Sequence, residues 1–194
     1  MSALKIGLMS FAHLHGAGYL SILAGRPDVE VRVADVDPER GKRFAEQHGV
    51  DFAESYDDLM GWDPDGVIVC SENALHRELV ELGASGGAYV LCEKPLATSL
   101  EDGHAMIAAC EAAGVGLMTA FPMRFSQPIM ALEQLVRGGE LGRIFGVAGT
   151  NPGNNPGLRF PWFVTKDLAG GGAVMDHTVH VADLLRWLLE AEAV

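Results

Sequence analysis

Through its first 120 or so residues the chain alternates short apolar runs, often β-branched, with longer segments of helical period. That rhythm predicts βαβ units and a parallel sheet, because each buried strand needs a crossover helix before its parallel neighbour. The strands read as 4–9, 30–34, 66–70, 88–92 and 115–119, with helices near 16–25, 38–48, 74–85 and 99–112. Asp37, Pro38 and Glu39 give the second helix an N-cap, a first-turn proline and a first-turn acid, and Gly49 stops it. Ser99 followed by Asp102 is a cap of the same kind for the last of these helices.

The rhythm changes after residue 121. A helix over 127–137 ends at Gly138-Gly139, a strand is expected over 143–150, the Asn/Pro/Gly run 151–157 reads as a loop, and a helix follows over 172–190. A boundary at Pro122 divides 1–121, an α/β unit, from 122–194, an α+β unit. One strand and two helices are too few for a self-sufficient second domain, so that unit is expected to be incomplete or completed by partner chains.

Twenty-six acidic residues against fourteen basic ones give a formal charge of −12, which argues against nucleic acid or an anionic membrane surface as partner. No run approaches the roughly 20 apolar residues of a membrane span, and the N-terminus reads as entering a strand without a leader. Cys70, Cys92 and Cys110 have no metal-ligand spacing and read as reduced core thiols of a cytoplasmic protein.

Chemistry concentrates where strands end. In a dinucleotide-binding first turn, glycines permit a tight bend and close approach of the pyrophosphate, and an acid about 20 residues on takes the ribose. Here the three glycine positions fall to Ser10, Ala12 and His15, with Asp35 twenty residues after His15; a wider turn through Gly16 and Gly18 is the alternative. Since Asp37 already caps the helix, Asp35 is left for the ribose hydroxyls, and its charge favours NAD over NADP. Ser71, Asn73 and His76 follow the third predicted strand and Glu93-Lys94-Pro95 the fourth. Asp176 and His180, behind Gly170-Gly171-Gly172, stand one helical turn apart and make a proton-handling pair. A rival reading gathers His13, His15, Asp176, His177 and His180 into a metal site.

Glu93-Lys94-Pro95, Asn73 with His76, Arg124-Phe125, and the glycine run with Asp176 and His180 occur in an order that resembles the Gfo/Idh/MocA oxidoreductases. The likeness covers about residues 4–190, and the first-turn glycines depart from it. It implies a Rossmann doubly wound sheet followed by the start of an α+β domain, and hydride transfer between NAD(P) and a hydroxyl carbon of a sugar, cyclitol or related polyol. It further implies His180 as general acid/base, Lys94 holding the reacting oxygen, and Asp176 contacting sugar hydroxyls and tuning Lys94 and His180. Cofactor contacts would come from Ser10, Ala12, His15, Asp35, Ser71, Asn73, His76, Glu93 and Lys94, with no resident metal. Glu93 also reads as positioning the Lys94 loop. Arg124, Trp162 and His177 are expected on the substrate side, with Phe163 beside Trp162. Asp183 is expected either behind the His180 ring or exposed. Family members are longer, so the chain reads as a fragment or truncated product of a homo-oligomeric enzyme, with a non-catalytic dinucleotide-binding module as the alternative.

Overall fold

The computed structural model describes residues 3–153 and 155–192; Asn154 of the expected loop lies outside the described residues. Six strands, β1 (Leu4–Met9), β2 (Val29–Ala34), β3 (Asp51–Phe52), β4 (Gly66–Val69), β5 (Tyr89–Cys92) and β6 (Leu117–Thr119), form one sheet in the order β3-β2-β1-β4-β5-β6. Every pairing is parallel. Between them run α1 (Gly16–Ala24), α2 (Pro38–His48), α3 (Tyr56–Met60), α4 (His76–Ser85) and α5 (Leu100–Ala113). The five expected strands and four expected helices of this part are present, with ends shifted by no more than two residues. β3 and α3 were not expected, since two and five residues are too short to display a period.

Side-chain alternation explains the two layers of helices. Leu8 of β1 packs with Leu20 of α1 and Ala45 of α2, while Met9 joins the cluster that holds Leu79 of α4 and Met106 of α5. β4 reads Gly-Val-Ile-Val and is buried throughout, as a strand covered on both faces must be. The caps act as their sequence implies: Asp37 accepts from Arg40 N–H, Gly49 adopts φ 66°, and Ser99 accepts from Asp102 N–H. Chain order reverses between β1 and β4, which opens a crevice at their carboxyl ends.

After β6 the chain is helical. α6 (Gln127–Arg137) follows a short 3-10 turn, and α7 (Lys166–Ala169) leads to a π-helical turn, Val174–Thr178, that runs into α8 (Val179–Leu189). The expected strand over 143–150 is not formed; those residues have no regular secondary structure, with Phe145 86% exposed. A strand is stabilised by a neighbour's hydrogen-bond ladder, and no strand among the described residues lies alongside. Residues 156–169 fold back over the first βα turn, where Trp162, Phe163 and Ala169 cluster with Ala12.

Candidate active site

The first turn leaves β1 through Ser10, which takes the left-handed φ of 74° usually given to glycine. Its hydroxyl accepts the Ala12 N–H at 3.1 Å, so the side chain stabilises the bend that its backbone makes. α1 then opens at Gly16, and there a Cβ would stand 3.2 Å from both the Ser10 carbonyl oxygen and the Phe11 ring. The close-packing position is therefore Gly16, as in the wider-turn alternative, and not His15. Gly18 has open space around it and plays no such part.

Asp35, just past β2, is buried and holds the turn in place. Oδ2 accepts Phe11 N–H and Arg40 Nε, both at 2.8 Å; Oδ1 accepts Asp37 N–H at 2.9 Å and Arg40 Nη2 at 2.6 Å. The carboxylate expected to stand free for a ribose is thus clasped by the Arg40 fork. The sequence reading passed over Arg40, whose position on the first turn of α2 was the available signal.

The ends of β4 and β5 serve the Lys94 loop. His76 has no exposed surface, and its Nδ1 donates toward the Pro95 and Leu96 carbonyls at 3.0 and 3.2 Å. Burial pushes its pKa down, so it is a neutral strut. Glu93 is likewise fully buried. Oε1 accepts from His15 Nδ1 at 3.0 Å and Tyr19 Oη at 2.7 Å, and Oε2 from Lys94 N–H at 3.1 Å. Burial alone would raise its pKa, but His15, His13 and Tyr19 bring it down to about 2. His76 and Glu93, expected to touch a cofactor, are both engaged within the protein, and each positions the Lys94 loop. Tyr19 was missed, being an aromatic at helical spacing that reads as ordinary core. Ser71 is buried with its hydroxyl on the Glu72 carbonyl, and Asn73 Nδ2 donates to the Ala169 carbonyl at 3.0 Å.

Lys94 is 5% exposed and reaches the late helix, its Nζ donating to Asp176 Oδ1 at 2.5 Å and to the Asp176 carbonyl at 3.3 Å. A buried ammonium is tolerable only with such a partner. Asp176 Oδ2 stands 3.3 Å from His177 Nε2. Asp176 lies on the π-helical turn and His180 on α8, a junction of a kind often found at functional sites. His180 is half-buried against Phe121, and its pKa is lowered first by burial and then by the Lys94 charge, with Asp176 opposing. At neutral pH its imidazole is a proton acceptor beside an ammonium-carboxylate pair. Gly170, at φ 76°, lets the late segment approach Thr98, whose Cγ2 would stand 2.4 Å from a Cβ at that position.

His177 lines a cavity of about 720 Å³ together with Asn73, Lys166, Gly171, Gly172 and Asp176. Lys166 was not foreseen there, since an isolated surface lysine carries no sequence signal. Two residues expected on the substrate side are engaged elsewhere in the protein. Arg124 pairs with Asp183, Nε to Oδ2 at 2.8 Å and Nη2 to Oδ1, so neither lines the cavity nor orients His180. Asp183 is buried rather than exposed, a carboxylate that the guanidinium makes tolerable. Trp162 is buried, with Nε1 donating to the Ala12 carbonyl at 2.9 Å and its ring stacked on Phe163, so it seals the seam over the first turn and offers no platform.

Residues 6–121 match the family model described as oxidoreductase family, NAD-binding Rossmann fold, and residues 129–194 match the GFO/IDH/MocA C-terminal domain. The 1,5-anhydro-D-fructose reductase of Ensifer adhaerens is 36% identical over 84% of this chain and 51% of its own length. The D-glucoside 3-dehydrogenase of Escherichia coli K12 is 30% identical over all of this chain and 56% of its own. Among solved structures, the WlbA dehydrogenase of Bordetella pertussis, in complex with NADH and UDP-GlcNAcA, superposes with a TM-score of 0.82 at 26% identity over 97% of this chain and 56% of its own. The chain spans about half the length of the curated relatives it matches.

Proposed function

The chain belongs to the Gfo/Idh/MocA oxidoreductase family, and from that membership we propose that it serves hydride transfer between NAD and a hydroxyl-bearing carbon of a sugar, cyclitol or related polyol. The observation that carries the reading is the convergence of Lys94, at the carboxyl end of β5, with Asp176 and His180 from a segment about 80 residues later. The names of the two curated relatives, a reductase and a dehydrogenase of sugars, support the substrate class.

The residues present fit a dinucleotide. Ser10 bends the chain at the sheet's switch point, and Gly16 packs the start of α1 against it, which sets the N-terminal end of that helix where a pyrophosphate would lie. Asn73 Oδ1 is buried without a partner, a polar atom suited to accept from a ligand. Ser10, Ala12, His15, Asp35, Ser71 and Asn73 would surround the cofactor, with Lys94 at its reactive end. The four acceptor sites of Asp35 are filled, so ribose hydroxyls would exchange with the Arg40 fork. The carboxylate repels a 2′-phosphate, whereas the partly exposed Arg40 guanidinium that covers it would attract one, so the proposed preference for NAD rests on Asp35 being released to the ribose.

When bound, the cofactor accepts or supplies the hydride. In the oxidative direction His180 takes the substrate hydroxyl proton, and Lys94 donates a hydrogen bond to the oxygen as negative charge develops. Asp176 holds the Lys94 ammonium in place, and His177 lines the cavity that receives the rest of the substrate. In reduction the same groups act in reverse. Assembly as a homo-oligomer is part of the same proposal.

NADH fluorescence titration followed by turnover on a panel of polyols tests this reading. The expected result is saturable NADH binding, weaker NADPH binding, and reduction of NAD by at least one polyol. Equal affinity for the two cofactors would remove the Asp35 assignment. Binding without turnover of any polyol would make the 194-residue chain a dinucleotide-binding module.

A further inference from the structure

We propose that His13, His15 and Glu93 form a binding site for one divalent transition-metal ion of the zinc class. One donor atom from each lies within 4.8 Å of the other two. His15 Nδ1 is 3.0 Å from Glu93 Oε1, and His13 Nδ1 is 4.0 Å from Glu93 Oε2. Ligands on a tetrahedral ion with bonds of about 2.1 Å stand roughly 3.4 Å apart, so small side-chain rotations suffice to close the set. Two imidazoles and a carboxylate are the donors of many zinc sites with one open position, and they suit harder all-oxygen cations poorly. His13 is 1% exposed; its Nδ1, the nitrogen nearer Glu93, accepts the His15 N–H at 3.2 Å, a bond that an ion at Nδ1 would replace, while its Nε2 has no hydrogen-bond partner. Tyr19 Oη and the Lys94 N–H donate to the Glu93 carboxylate from behind, the outer contacts that orient a ligating oxygen. His15 is partly exposed and gives the ion its way in. Among the described residues, Asp176, His177 and His180 do not meet the same spacing.

The three ligands come from the turn after β1 and the residue after β5, so a bound ion would tie the first βα turn to the root of the Lys94 loop. That is a locking role at the edge of the proposed cofactor site, which His15 borders, and it involves neither Lys94 Nζ nor His180.

Titrating the chelator-stripped 194-residue chain with Co²⁺ tests the site by its visible d–d absorption. One equivalent is expected to bind saturably, Zn²⁺ to displace it, and the melting temperature to rise with occupancy. His15→Gln, at the partly exposed ligand, is expected to weaken binding at least tenfold while circular dichroism shows an unchanged fold. His104→Gln, on the exposed face of α5, is the control and should bind as the unaltered chain does. Absence of saturable binding overturns the proposal. So does a His15→Gln protein that binds Co²⁺ with unaltered affinity.

Discussion

At the scale of the residue, His180 and Lys94 divide the work by their surroundings. Both sit near Asp176, yet the lysine takes its hydrogen bond, and the histidine is left with burial and a neighbouring positive charge, both of which favour the neutral ring. His180→Gln is therefore expected to lower kcat for polyol oxidation by roughly a hundred- to ten-thousand-fold, with NADH affinity retained; a loss of binding in place of turnover would contradict the assignment. The pH profile follows from the same geometry. Oxidation needs the neutral imidazole, and the groups facing it are Lys94, Asp176, His177 and Glu93. Since the net effect lowers the pKa, kcat/KM for oxidation should hold as pH drops through the ordinary imidazole value of about 6.5 and fall only below it. A limb above that value would show that another group titrates. His180→Gln should abolish the limb. The pair Asp176 and His180 was legible in the sequence because both lie on one short stretch. The Asp35–Arg40 clasp was not, because a carboxylate at a strand end looks free until the next helix is docked beside it.

At the scale of the element, the placement of the late segment depends on two contacts. Gly170 adopts a left-handed φ against Thr98, so Gly170→Ala combines backbone strain with a methyl forced into the Lys94 loop's continuation. A destabilisation of about 1–2 kcal/mol is expected for the backbone alone, together with a larger fall in kcat than in NADH affinity as Asp176 leaves Lys94. Unchanged kcat would show that the segment reaches its position by other contacts. The second contact is the pair of Arg124, between β6 and α6, with Asp183 on α8. Arg124→Ala leaves a buried carboxylate without its donors and should cost about 1–3 kcal/mol. Asp183→Asn leaves only a partly exposed guanidinium and should cost less. Thermal melts of the two variants check the order, and the reverse order would place the buried charge on the other partner. Elements of ten residues or so announced themselves through period, caps and stop signals, as α2 did with Asp37 and Gly49. β3 and α3 were too short to do so, and the run 143–150 has strand composition without a partner strand. The late helix read as one continuous piece, because no rule of composition marks where i→i+4 bonding yields to a π turn.

At the scale of the whole molecule, two helix layers enclose a parallel sheet, and the later helices return over its carboxyl edge. No helix among the described residues is long and apolar enough to cross a membrane. Asp35→Ser offers a test at this scale, since it removes the anchor for the first turn along with the charge that would face a 2′-phosphate. The proposed preference for NADH over NADPH should narrow and overall affinity should fall; a preserved preference would place cofactor discrimination elsewhere. By itself the sequence determined the α/β class, the longer strands and helices of the first 121 residues, the family resemblance, and the candidate groups Lys94, Asp176 and His180. The class and the elements follow from periodicity, which local sterics and burial write into neighbouring residues, and the candidate groups from the motifs that carry the family resemblance. The tertiary structure alone decided that Gly16 is the close-packing position behind the Ser10 bend, that Trp162 closes on Ala12, that Arg124 belongs to Asp183, and that Glu93 gathers His13, His15 and Tyr19. Apart from the first, those partners lie from 59 to 150 residues apart. Such pairings are set by how the sheet's edges and helices stack, and no local pattern encodes them.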